Sequence, residues 1–192
     1  MAKIALIGWG SLLWDLDDLE PHVEGEWQVA QGPMLPLEFV RVSKKRNMAL
    51  AVVIDHDHGV PCASSHILSR RDDILETVTD LARRERAPED QIGYVDRSSG
   101  AIRSRYPSVH DGVLEWLDRS DYDAAVWTDL ARNYEDLLGH AFSLEAAIDY
   151  LKALPRPSLV EAHRYIESAP VNVETPLRAA LRGQDWWRQV QY

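Results

Sequence analysis

The first candidate for chemistry is the segment at positions 8–12, Gly-Trp-Gly-Ser-Leu, which directly follows an apolar run at positions 4–7. The apolar run predicts a buried strand, and the two glycines predict its end. A strand that ends in a Gly-x-Gly-Ser loop can present consecutive backbone N–H groups, which form an anion-binding concavity. The candidate ligand-binding residues are therefore Trp9, Gly10, Ser11 and Leu12.

Three common motifs with similar residues do not fit this segment. A dinucleotide-binding fingerprint needs a third small residue where Leu13 stands, and the short acidic stretch that follows has no βαβ pattern. A P-loop needs a lysine before its Ser or Thr, and none follows the glycines. A nucleophile elbow needs G-x-S-x-G, whereas Gly10 directly precedes Ser11. A turn at a strand end, capped by serine, remains the alternative to a ligand loop.

Composition narrows the class of protein. The 192 residues suffice for one domain with a sizeable core. The net charge of −10 repels phosphate backbones, so we expect no nucleic-acid partner. The single cysteine, Cys62, excludes an intrachain disulfide and a cysteine zinc cluster. No signal-peptide pattern and no run of about 18 apolar residues is present, so we expect a cytoplasmic protein with no membrane partner.

The elements that would position the loop are short strands and a helix. Residues at helical spacing predict a helix from about 74 to 86, ended by Pro88. Turns of hairpin length join the first three strand segments, which predicts an antiparallel meander able to curl into a barrel. Five segments have the β-branched and aromatic content of strands: residues 37–43, 48–55, 60–68, 91–96 and 122–130.

The last third of the chain is predicted to be helical. Ser143 is a suitable N-cap for a helix over 144–154, a second helix covers 159–168, and Thr175 with the proline after it opens a third. We find no repeat and no linker. The sequence therefore predicts one α+β domain over residues 1–192, with a core of about 3–130 and a helical extension of about 131–192.

The motif Gly-Trp-Gly-Ser-Leu-Leu-Trp at positions 8–14 resembles the signature of the γ-glutamylcyclotransferase-like superfamily. It is nearest to the ChaC-type branch, which acts on glutathione. The likeness continues in the order of elements to about residue 130, and includes the strand at 39–43 and a helix that ends in an acidic residue. It implies a small, mostly antiparallel β-barrel of about five to seven strands with flanking helices.

The resemblance also implies a reaction and a set of roles. The loop Trp9, Gly10, Ser11 and Leu12 would hold a γ-glutamyl group through backbone amides, and Glu85 at the helix end would be the general base. The α-amine of the substrate attacks its own side-chain carbonyl, giving 5-oxoproline and releasing an amine. Because the substrate carries its own nucleophile, no metal and no cofactor are expected. The protein must fold the substrate, accept a proton and stabilise an oxyanion.

Two residues depart from the family pattern. Trp9 stands where the family commonly has tyrosine, and Arg86 where it often has glycine. These departures favour a second hypothesis, a non-catalytic module on the same barrel that binds a carboxylate-bearing metabolite. The alternative for Glu85 is an exposed glutamate at a helix end, paired with an arginine. The sequence does not fix the oligomeric state.

Overall fold

The computed structural model describes residues 1–191 and has an α+β architecture, which confirms the predicted fold class. The strands are β1 (Ile4–Gly8), β2 (Val23–Gln28), β3 (Met34–Ser43), β4 (Ala49–Ile54), β5 (Val60–Ala63), β6 (Ser65–Ser69), β7 (Ile92–Asp96), β8 (Ile102–Arg103) and β9 (Ala124–Thr128). The helices are α1 (Ile74–Glu85), α2 (Pro107–Leu117), α3 (Tyr134–Leu138), α4 (Leu144–Ala153), α5 (Arg156–Ser168), α6 (Pro176–Arg182) and α7 (Asp185–Arg188).

Contacts divide the chain into two units. Unit 1 comprises residues 1–35 and 63–130, and unit 2 comprises residues 36–62 and those from 131 onward. One boundary between the units falls after Leu130, which is also the predicted end of the core. Residues 36–62, which were predicted to belong to the core, instead belong to the same unit as the C-terminal helices. This division leaves the prediction of a single domain over residues 1–192 untested.

Unit 1 is built on a six-stranded mixed sheet with the order β2-β6-β1-β9-β7-β8. The two central strands, β1 and β9, are parallel, with Ile7 beside Trp127, and the other pairs are antiparallel. All five residues of β1 are buried. A strand covered on both faces has a continuous apolar run rather than an alternating one, which explains the composition of β1.

Parallel pairing brings the carboxyl ends of β1 and β9 to the same side of the sheet, here called the carboxyl edge. Because β7 is antiparallel to β9 and β8 is antiparallel to β7, β7 begins at this edge and β8 ends there. Helix α1 packs on β7 and β9, and its last turn contacts the loop after β1. Loops beyond the carboxyl ends of parallel strands are frequent ligand sites in α/β sheets.

Unit 2 contains a three-stranded sheet with the order β4-β3-β5, on which α5 packs through β4. At the end of β4, the buried Asp55 contacts Arg132 (Nη1 to Oδ2, 3.2 Å) and His58 (Nδ1 to Oδ1, 3.1 Å). The backbone N–H groups of Asp57 and His58 also donate to the Asp55 carboxylate. These contacts give the turn at residues 55–58, Asp-His-Asp-His, a structural role within this unit.

One strand prediction is wrong, and two strands, β2 and β8, were missed. The segment 60–68 is not one strand, because it breaks at Ser64: β5 joins β3, whereas β6 joins β1 and β2. The N–H and hydroxyl of Ser64 both donate to the Pro33 carbonyl, which takes this residue out of either ladder. Strand β2 was not predicted, because its charged residues and Gly25 suit only an exposed edge position. Neither strand order closes on itself in residues 1–191, so the closed barrel is not confirmed.

In the part of the chain that the structure describes, no helix is both long and apolar enough to span a membrane.

Glu38 in β3 is a fully buried carboxylate in unit 2. Its two oxygens accept the backbone N–H groups of Phe39 (2.8 Å) and Leu177 (3.1 Å). Leu177 lies in the first turn of α6, where the N–H groups have no partner within the helix, so Glu38 caps that helix. Burial raises the pKa of Glu38, and the hydrogen bonds from Thr175, Phe39 and Leu177 only partly oppose this.

We expect the stabilisation of α6 by Glu38 to weaken as the pH rises. Since the folded-state pKa is raised above 4.5, the contribution of Glu38 is complete below its unfolded pKa and is lost as the pH rises through the folded value. Hydrogen-exchange protection of the α6 amides, compared between wild type and Glu38→Gln from about pH 4 to 7, should show a shrinking wild-type advantage. Glu145→Gln, the same change on an exposed side chain in the first turn of α4, is the control. A pH-independent difference would contradict this.

Candidate functional site

The opening loop forms a short buried turn directly after β1. A 3-10 helix covers Ser11–Leu13, and the N–H of Leu13 donates to the Gly10 carbonyl at 3.0 Å. The turn itself does not use the N–H groups of Ser11 and Leu12, because they precede its first hydrogen bond. Gly8, the last residue of β1, has no room for a side chain, since a Cβ there would lie 2.8 Å from the Trp27 ring. The four candidate residues Trp9, Gly10, Ser11 and Leu12 are all buried.

Arg84 joins this loop to the end of α1. Its side chain is 3% exposed, and Nη2 donates to Ser11 Oγ at 3.2 Å and to the carbonyl of Asp15. Its Nη1 donates to Glu85 Oε1 at 2.7 Å. One buried guanidinium therefore contacts both the loop and the candidate base, although Ser11 and Arg84 are 73 positions apart. The sequence did not identify this role, because Arg84 stands in a run of arginines that is typical of a solvated helix face.

Glu85 is mostly covered, with 15% of its side chain exposed. It is paired with an arginine, as the structural alternative for this residue expects, but it is not an exposed glutamate. Oε1 is held by Arg84, and Oε2 has no bond to any residue of the described part. The free oxygen is the one that could accept a proton from a substrate.

Arg86 ends α1 in the left-handed conformation, with φ +54° and ψ +41°. The N–H of Arg86 donates to the Arg83 carbonyl, and the N–H of Ala87 donates to the Ala82 carbonyl. This pattern is typical of a helix that ends in a left-handed residue, a position where glycine is the usual residue. The Arg86 side chain is 66% exposed and lies 3.6 Å from Asp17. The departure from the family pattern at this position is therefore accommodated at the cost of backbone strain rather than by blocking the loop.

Two further polar residues lie at the carboxyl edge. Asp129 follows β9 and is 5% exposed; its Oδ2 accepts the N–H of Arg105 at 2.5 Å. The Arg105 guanidinium donates to the Asp129 carbonyl through Nε (3.3 Å) and Nη2 (3.2 Å). Burial raises the pKa of Asp129, while Arg105 opposes the rise. In the sequence, Asp129 is only an acidic residue directly after an apolar strand. Its position at the carboxyl edge could not be predicted, because the sequence does not show that this strand pairs in parallel with β1.

Neither a metal centre nor a known relative supplies a function. Within residues 1–191, no group of three or more His, Cys, Asp or Glu side chains is arranged to hold a metal ion. Comparison with known proteins finds no matching family model, curated protein or solved structure. The features that indicate a function are therefore the opening motif and the geometry of the carboxyl edge.

We expect Arg84→Met to lower the free energy of unfolding by about 3 kcal/mol, because it leaves Glu85 without its buried partner. Arg83→Met is the matched control: Arg83 is 59% exposed and approaches Asp80 only at 4.0 Å, so its loss should change the value by less than about 0.5 kcal/mol. Urea denaturation measures both. Equal effects of the two variants would mean that Arg84 does not hold the loop and the helix together.

We expect Arg86→Gly to raise the free energy of unfolding by about 0.5 kcal/mol, since glycine relieves the left-handed strain but also gains freedom in the unfolded chain. Arg86→Ala removes the same exposed ion pair and keeps the strain, so it should give no such gain. Urea denaturation of both variants separates the effect of the backbone strain from the effect of the lost ion pair. The interpretation fails if alanine stabilises the protein as much as glycine does.

Proposed function

We propose that this chain is a γ-glutamylcyclotransferase-like enzyme that releases 5-oxoproline from a γ-glutamyl amine or peptide, with glutathione as one candidate substrate. The observation that carries the proposal is the buried guanidinium of Arg84, bonded on one side to Ser11 and on the other to Glu85. The two halves of the family's site lie far apart in the sequence, and in this chain they share a single side chain.

The geometry supports a division of roles. The loop amides at Gly10, Ser11 and Leu12 would hold the γ-glutamyl group and stabilise the developing oxyanion. Arg84 bonds that loop through Ser11 and bonds Glu85 through its other amino group, which holds the loop and the candidate base together. Glu85 would accept a proton from the substrate ammonium through Oε2, after which the neutral amine attacks the side-chain carbonyl and forms the ring C–N bond. The bond from that carbon to the leaving amine then breaks as Glu85 returns the proton to the leaving nitrogen, which restores the carboxylate. No metal, cofactor or protein nucleophile enters this reaction.

Two finer expectations belong to the same proposal. The first expectation is the β-barrel of the family, although the proposed chemistry needs only the carboxyl edge of the sheet and not a closed barrel. The second expectation is a cytoplasmic location, with which the buried, unpaired Cys62 is compatible.

A non-catalytic binding module is the second candidate, and one observation favours it. Oε1 of Glu85 is already engaged by Arg84 at 2.7 Å, so half of the carboxylate is committed to an ion pair. The same loop and guanidinium could then capture a carboxylate-bearing metabolite without turning it over.

The deciding experiment measures 5-oxoproline release from a panel of γ-glutamyl amines and peptides. We expect wild type to act on at least one member and Glu85→Gln to be slower by about 10²- to 10⁴-fold, because the amide cannot accept the proton. Glu76→Gln, the same change on the 60%-exposed side chain near the start of α1, should leave the rate unaltered.

The outcomes separate the hypotheses. Equal rates for wild type and Glu85→Gln would remove Glu85 from the mechanism. No release from any panel member, combined with measurable binding of a γ-glutamyl compound, would favour the binding module over the enzyme.

A further inference from the structure

A short segment of unit 2, residues 185–191, lies against α5 and is here called the docked segment. Its largest buried side chain is Trp187, which is 1% exposed and donates through Nε1 to Glu167 Oε1 at 2.8 Å. The Trp187 ring also packs on the His163 ring, with the two centres 4.7 Å apart. Because His163 and Glu167 are one helical turn apart, both contact the indole from the same face of α5.

Exposed side chains make the other contacts that tie this segment to neighbouring helices. These contacts are Arg188 Nη1 to the Arg182 carbonyl (2.8 Å), Arg156 Nη2 to the Gln191 carbonyl (2.9 Å) and Lys152 Nζ over the Trp186 ring (5.5 Å from its centre). Contacts of exposed charged groups contribute little to stability, because water competes for them and long side chains lose freedom when they are held. The docking of the segment therefore depends mostly on Trp187 and its two partners in α5.

The His163 imidazole faces a small set of charged groups across an open cavity of about 280 Å³. The cavity is lined from α5, α6 and α7 by His163, Glu167, Arg182, Trp187 and Arg188. Each arginine has a carboxylate partner of its own, since Arg182 lies 2.7 Å from Glu174 and Arg188 bonds to Asp185. The charge in the cavity that is left to act on the imidazole is that of Glu167.

Two influences on the charge of His163 oppose each other. Burial beneath the indole disfavours the imidazolium, whereas Glu167 and a hydrogen bond to the Trp187 backbone favour it. Burial has the larger effect, so the pKa of His163 is lowered from its ordinary value of 6.5. The docked segment therefore covers an imidazole that is neutral at pH 7, and covering its charged form is less favourable.

We propose that His163 makes the docking of residues 185–191 on α5 dependent on pH, so that the segment is held while the imidazole is neutral and loosens as it gains a proton. Since the pKa is lowered when the segment is docked, the detached form binds the proton more readily. Docking is therefore strongest above the ordinary histidine pKa and weakens as the pH falls through the docked value. Loosening would uncover Trp187 and Val190, which are 1% and 8% exposed, as a new apolar surface. None of these residues lies at the carboxyl edge, so the inference does not rest on the proposed function.

Hydrogen exchange of the docked segment, corrected for the intrinsic effect of pH on exchange, tests this proposal. The backbone N–H groups of Arg188, Gln189 and Val190 donate to carbonyls within residues 184–187, so their protection reports whether the segment keeps its structure. We expect this protection to fall several-fold in wild type between about pH 7.5 and about pH 5, because His163 gains its proton in that range.

Three variants identify the group that titrates. His163→Gln removes the imidazole and should make the protection independent of pH over the same range. His140→Gln, the same change on an exposed histidine of unit 2, is the matched control and should behave as wild type does. Glu167→Gln keeps an oxygen for the Trp187 N–H but removes the charge that favours the imidazolium, so its protection should fall only at a lower pH.

The proposal is overturned if the wild-type protection does not change with pH, or if His163→Gln loses protection as wild type does. Greater protection at about pH 5 would also overturn it, because the attraction between an imidazolium and the indole would then outweigh the effect of burial. If His163→Gln shows no protection at any pH, Glu167→Gln still decides: a fall at a lower pH supports the proposal, and a fall at the wild-type pH overturns it.

Discussion

The parallel pairing of β1 with β9 is the constraint on which the candidate site depends. It brings the ends of two strands from opposite parts of unit 1 to one edge of the sheet. The loop after β1 and the aspartate after β9 become neighbours of the same edge only through this pairing. An antiparallel arrangement of these two strands would send Asp129 to the far end of the sheet, away from Ser11 and Arg84.

Buried charge is the second common theme of the molecule. Arg84 and Asp129 are almost inaccessible, and Glu38 is completely so. Moving such groups out of water is unfavourable unless hydrogen bonds replace the lost hydration. Glu38 receives two backbone N–H groups and is fully employed in capping a helix. Arg84 and Asp129 each retain one unpartnered atom, and both lie at the carboxyl edge.

The sequence predicts the elements well where burial produces a clear pattern. The apolar runs of β1, β4 and β9, the helical spacing of α1 and the caps at Ser143 and Thr175 all correspond to observed elements. The break at Ser64 and the edge strand β2 escape prediction, because both depend on partners distant in the sequence. The site shows the same limit: the opening motif is visible, whereas the burial of Arg84 depends on which helix face meets the sheet. The position of Asp129 beside this loop's edge of the sheet depends on strand order, which composition does not encode.

The separation of β1 from β9 along the chain has a consequence for synthesis. The Lys3 N–H bonds to Asp123, 120 positions away, so β1 must wait for β9, the last strand of its unit, before both of its edges are paired. During that interval β1 presents an unpaired, wholly apolar edge, the kind of surface that promotes association between nascent chains. Contacts between such distant segments also slow folding. The carboxyl edge with its candidate site therefore forms late, and β1 is the segment that chaperones would have most reason to protect.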